Sequence, residues 1–164
     1  MQISPRLVLI ILLIAAIGAA AISFLLLPSR QQTVGLFLPD NPEYVSLGKR
    51  IYRENCSSCH GVNLEGQTAD WRTPGPDGKL PAPPHDETGH TWHHTDEVLF
   101  NITKIGVAEA ANLTNYESAM PAYEELLSDK EIIAVLSYIK STWPEDVRKR
   151  HDDLNQQIQD QKSR

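Results

Sequence analysis

The 164-residue chain has only two cysteines, Cys56 and Cys59, and two methionines, Met1 and Met120. With both cysteines in one close pair, no third remains for a disulfide framework or a four-thiolate zinc site. No run alternates apolar and polar residues as a strand would, so the βαβ surroundings of a thioredoxin-like pair are missing. No internal repeat is present. Basic residues are also short: all 21 acidic residues but only 13 of the 15 basic ones lie from Gln31 onward, a formal charge of −8 on that part. This balance argues against nucleic-acid binding.

What is present is Cys56-Ser57-Ser58-Cys59-His60. Two cysteines three apart, with a histidine directly behind the second, form the pattern for covalent c-type haem attachment. Each thiol can add to one vinyl group of the porphyrin, and the adjacent imidazole then falls beneath the iron as an axial ligand. A second axial ligand has few sources. Met1 is the initiator, so Met120, 60 residues beyond His60, is the one thioether that a folded domain can offer. It lies in Ser118-Ala119-Met120-Pro121-Ala122-Tyr123. His/Met ligation closes both faces of the iron and raises its potential, which suits electron transfer. The competing reading of Met120 is core filling.

From about Asn41 to Trp143 the chain resembles class I cytochromes c. The resemblance rests on an N-terminal helix leading into Cys-Ser-Ser-Cys-His-Gly, a Met-Pro pair, and a C-terminal helix ending in Trp143-Pro144. It implies an all-α fold, a small helical domain around one covalent haem c. Cys56 and Cys59 would carry the haem, with His60 proximal and Met120 distal. It also implies a proline carbonyl that holds the proximal imidazole. Pro81-Ala82-Pro83-Pro84 is similar to that segment, without showing which proline acts. The function implied is single-electron transfer without catalysis, between redox donor and acceptor proteins.

The organisation reads as follows. Residues 1–6 are a cytoplasmic N-terminus. Leu7 to Leu27 is uncharged, with Ser23 its sole hydroxyl. As a helix it would be about 31 Å long, enough to cross a bilayer core. A cleavable signal peptide is the rival, but its apolar region is usually about 7–15 residues. We therefore expect a transmembrane signal-anchor at 7–27. The resemblance places the haem domain outside a bacterial cytoplasmic membrane, on the periplasmic side. Residues 28–41 read as a linker whose Val34, Leu36, Phe37 and Leu38 would dock on the domain or at the membrane surface. Residues 42–144 are expected to form the domain that resembles cytochrome c.

Within it, helices are predicted from Asn41-Pro42, from Thr95 to a stop at Gly106, and from the capping box Ser128-Asp129-Lys130-Glu131. Gly48 would permit close approach by another helix, which the resemblance makes the C-terminal one. Gly61 to Pro84 reads as loop. Residues 145–164 form a polar tail with a thin stripe of Val147, His151, Leu154 and Ile158; it reads as a solvated helix or fraying end before a partner-docking one.

His85-Asp86-Glu87-Thr88-Gly89-His90-Thr91-Trp92-His93-His94 carries four histidines. They read first as a polar loop beside the haem edge. Copper or zinc binding is a second reading, and replacement of Met120 by one of them a third. The whole-protein alternatives are a cytochrome subunit held within a membrane oxidase or dehydrogenase complex, an open-site haem sensor or catalyst, and a copper-handling protein.

Overall fold

The computed structural model describes residues 35–164. The predicted membrane span lies outside them; among the described residues no helix is long and apolar enough to cross a membrane. The described residues form helices and loops without a strand: α1 (Pro42–Asn55), α2 (Ser57–His60), a 3₁₀ turn (Thr91–His93), α3 (Asp96–Ile105), α4 (Val107–Ala110), α5 (Asp129–Ser141) and α6 (Glu145–Lys162).

Local chemistry sets the helix starts. The Asn41 side chain accepts from the N–H groups of Glu43 and Tyr44, and Pro42 takes the first helical position, where an N–H is not needed. Thr95 Oγ1 accepts from Val98 N at 3.4 Å, with Asp96 and Glu97 in the first turn. Glu131 reaches back to the N–H and hydroxyl of Ser128, at 2.9 and 2.7 Å, completing the expected capping box.

The core forms where α1 meets α5. Ile51 and Tyr52 of α1 are buried with Ile132, Val135, Leu136 and Ile139 of α5. Gly48 sits at the closest approach, where a Cβ would overlap the Ala134 carbonyl and lie 2.8 Å from Tyr138 Cβ.

Two segments outside the predicted bounds of the domain pack on this core. Phe37 is 1% exposed, so the end of the predicted linker is seated on the domain. The tail is the larger correction. Residues 145–162 form the expected helix, continuous, but one face of it is seated on the domain, with Val147, His151 and Asn155 buried. Its strongly polar composition hides this, because two of its three buried positions are polar, and Asn155 is hydrogen-bonded within a network inside the fold.

That network centres on Asp96, 2% exposed. Its carboxylate accepts from Leu36 N at 2.6 Å, Phe37 N at 3.0 Å and Asn155 Nδ2 at 3.2 Å. Asn155 Oδ1 accepts in return from Asp96 N at 2.9 Å. Lys140 Nζ lies 3.9 Å from Asp96 and bonds Asp152 at 2.6 Å. One carboxylate thereby joins the leading segment, α3, α5 and α6. Removing one member of such a buried set leaves the others uncompensated.

His151 is fully buried in this network, with Nε2 3.4 Å from Asp96 Oδ1 and no hydrogen-bond partner. Phe37 stacks on its ring and Trp143 meets it edge-on. Burial first, then Lys140, holds its basicity down to about 4, against the pull of Asp96 and Asp152. The folded state thus keeps this histidine neutral where the unfolded chain, titrating near 6.5, takes up a proton. Stability is therefore full above about pH 6.5 and falls as the pH drops toward 4, by on the order of 2–3 kcal/mol. Thermal melts across this range should show a steeper loss for the wild type than for His151→Gln; equal slopes would assign the acid sensitivity elsewhere.

Candidate functional site

Cys56 caps the C-terminus of α1, and the chain turns straight into α2. The N–H groups of Cys59 and His60 both donate to the Cys56 carbonyl, at 3.1 and 2.9 Å. One turn therefore gathers both thiols and the imidazole. Both cysteines are free; Cys56 is half-buried and Cys59 exposed. Burial, followed by the neighbouring Cys59, pushes the Cys56 thiol up to about 11, so it is held as a neutral thiol.

His60 is 7% exposed. Its Nδ1 lies 2.9 Å from the Pro83 carbonyl oxygen. A carbonyl can only accept, so the imidazole carries its proton on Nδ1 and leaves the Nε2 lone pair free for a metal. Burial also lowers the basicity of His60, opposed by this hydrogen bond. The ring is thus neutral, oriented and unprotonated at Nε2, as a metal ligand must be. The structure identifies Pro83 among the three candidate prolines.

The loop after the motif is laced to bring Pro83 there. Gly66 N donates to the His60 carbonyl at 2.8 Å, Gln67 N to Ala82 O at 2.9 Å, and His85 N to Leu64 O at 2.8 Å. Gly66 has φ +80°, and a Cβ there would lie 2.7 Å from Pro84 N, so both its backbone and its neighbour require glycine. Tyr52 Oη, fully buried in α1, donates to the carbonyls of Gly61 at 2.8 Å and His60 at 3.3 Å. Burial, then Cys56, pushes the pKa of its hydroxyl well above the ordinary tyrosine value, which keeps it a donor.

Met120 is half-buried and packs against the core cluster, as does Cys56. Its N–H donates to Ser118 Oγ at 3.0 Å. Three residues on, Tyr123 anchors the segment. Its N–H donates to the Thr103 and Lys104 carbonyls, and its hydroxyl donates at 2.8 Å to the Asn55 carbonyl, one residue before Cys56. Burial, with smaller contributions from Cys56 and Cys59, pushes the Tyr123 hydroxyl up to about 12. The methionine segment is therefore tied to the end of the helix that bears the first thiol.

The histidine-rich segment does not act as one unit. His90 stacks on Trp71 at 4.8 Å and meets His94 edge-on, while His93 stacks on Trp92 at 3.6 Å. Among the described residues, no group of three or more His, Cys, Asp or Glu side chains converges to hold a metal ion. The copper or zinc reading of this segment gains no support from this arrangement. His85 alone joins the site, its ring stacked on that of His60 with centroids 4.0 Å apart. No spacing rule marks it in the sequence, because the contact depends on the Pro83 turn.

The chemistry of this donor set, two thiols and one oriented imidazole on a single turn, fits a covalent porphyrin. A family model described as Cytochrome c matches residues 45–143, more than half of the chain. No curated protein and no solved structure matches it. With an all-helical fold and a matching motif turn, the chain belongs to the cytochrome c family.

Proposed function

We propose that this protein carries single electrons through one haem c, bound covalently by Cys56 and Cys59, with His60 Nε2 and Met120 Sδ as axial ligands. The observation that carries this reading is the Pro83–His60 hydrogen bond, which fixes the tautomer and presents one free ring nitrogen beside the thiol pair. When bound, the haem supplies reversible one-electron chemistry at iron. The polypeptide does the rest. Pro83 holds the His60 ring; Tyr52 and Gly66 hold the turn that bears it; Tyr123 positions the Met120 segment; and the α1–α5 core excludes water behind the site.

The domain is tethered to the outer face of the cytoplasmic membrane by residues 7–27. The acidic surplus beyond Gln31 suits redox partners with a basic face, since complementary fields raise encounter rates. Membership of a larger oxidase or dehydrogenase complex is the alternative, which the tail stripe of Val147, Leu154 and Ile158 also suits: Val147 is buried on the domain, while Leu154 and Ile158 stay half-buried.

The test is optical. The purified oxidised protein should show a low-spin c-type spectrum with the weak far-red methionine-to-iron band, reduce reversibly by one electron, and resist carbon monoxide when reduced. Rapid carbon monoxide binding by the reduced wild type would replace this reading with an open-site haem.

A further inference from the structure

We propose that His85 is a positioning residue that fixes the rotation of the His60 ring about its metal-bonding axis; this rests on His60 being an axial ligand. The two rings stack with centroids 4.0 Å apart and an interplanar angle of 20°. The Pro83 hydrogen bond restrains one atom on the edge of the His60 ring. A single such contact restrains rocking of the ring plane weakly, whereas a flat partner against the face restrains it directly.

His85 is itself held from several sides. Its N–H donates to Leu64 O at 2.8 Å, and its carbonyl accepts from Trp143 Nε1 at 2.7 Å. Its Nδ1 lies 2.8 Å from Thr91 Oγ1, and Thr91 is 4% exposed. Tyr52 meets the ring edge-on at 6.3 Å. A side chain fixed by backbone on both sides and by its own ring nitrogen is a rigid wall. An apolar side chain at this place would fill space without fixing a plane.

Two physical consequences follow. In a low-spin ferric haem, the plane of the axial imidazole decides how unpaired spin spreads over the porphyrin. The ligated imidazole also shares the positive charge of the oxidised state, which an electron-rich neighbouring ring face stabilises. Loss of the stack should therefore redistribute spin and raise the reduction potential.

The experiment compares holo-protein carrying His85→Leu, His85→Phe and Thr91→Val with the wild type, by proton NMR of the paramagnetically shifted haem methyls and by redox titration. Wild-type spectra are read first; absence of a low-spin, histidine-ligated species there would reject the ligand assignment itself. Given that species, His85→Leu should alter the methyl-shift pattern and move the redox equilibrium about threefold toward reduction, about 30 mV at 59 mV per tenfold. His85→Phe, which keeps a stacked face, should stay near wild type. Thr91→Val, which frees the His85 ring, should move in the direction of the leucine variant. Wild-type methyl shifts and potential in His85→Leu would overturn the proposal, as would a folded phenylalanine variant that behaves like leucine. If His85→Leu does not fold, an unchanged Thr91→Val overturns it.

Discussion

Replacing Met120 by alanine is expected to lower the reduction potential by on the order of 0.1–0.2 V, a modest part of the range of about 0.8 V that axial ligands command. A thioether is a soft, weakly basic donor that favours the reduced iron, so its loss shifts the equilibrium toward the oxidised state. The half-buried Met120 side chain is the one thioether of the described residues, and the histidines of 90–94 are engaged with Trp71, Trp92 and one another. The variant should also lose the far-red band and bind carbon monoxide quickly when reduced. The fold should survive, because Tyr123 holds the segment through backbone and hydroxyl contacts that the substitution leaves alone. A redox titration that matches wild type, with the band intact, would return Met120 to core filling.

Gly48→Val is expected to abolish stable folding or cost more than about 3 kcal/mol, the upper end of ordinary overpacking. The obstacle is backbone. A Cβ at position 48 would occupy the space of the Ala134 carbonyl, and α5 cannot yield there without moving the buried Ile132, Val135 and Leu136 beside it. Separating α1 from α5 also displaces Ile51 and Tyr52, and Tyr52 carries the hydrogen bonds to the His60 and Gly61 carbonyls. The injury should therefore reach the site: holo-protein yield falls together with stability. Circular dichroism melts beside wild type check this. A melting temperature within a few degrees would show that the α1–α5 contact is looser than described.

The features legible in the sequence are those set by residues close together along the chain. Asn41-Pro42, Thr95 and Ser128 through Glu131 announce helix starts because each cap bonds within its own first turn. The thiol pair and His60 are legible because one turn assembles them. Gly48 is legible as a close approach, and its partner follows from the family resemblance. The rest depends on contacts across long separations. Pro83 is 23 residues from His60, and only the folded loop distinguishes it from Pro81 and Pro84. From sequence His85 reads as part of a polar loop, because its stacking on the His60 ring depends on that turn. The tail read as solvated because its hydropathy is low; it is anchored through Asn155 and His151 to Asp96, 59 residues from Asn155. Sequence pattern weighs apolar periodicity and has no measure for a buried polar joint.

The most direct measurement is intact mass, with peptide mapping, of protein produced in a host that matures c-type cytochromes. One haem per chain, resistant to acid-acetone extraction and carried on the peptide containing Cys56 and Cys59, is the predicted result. An intact, colourless chain with both thiols free would contradict it.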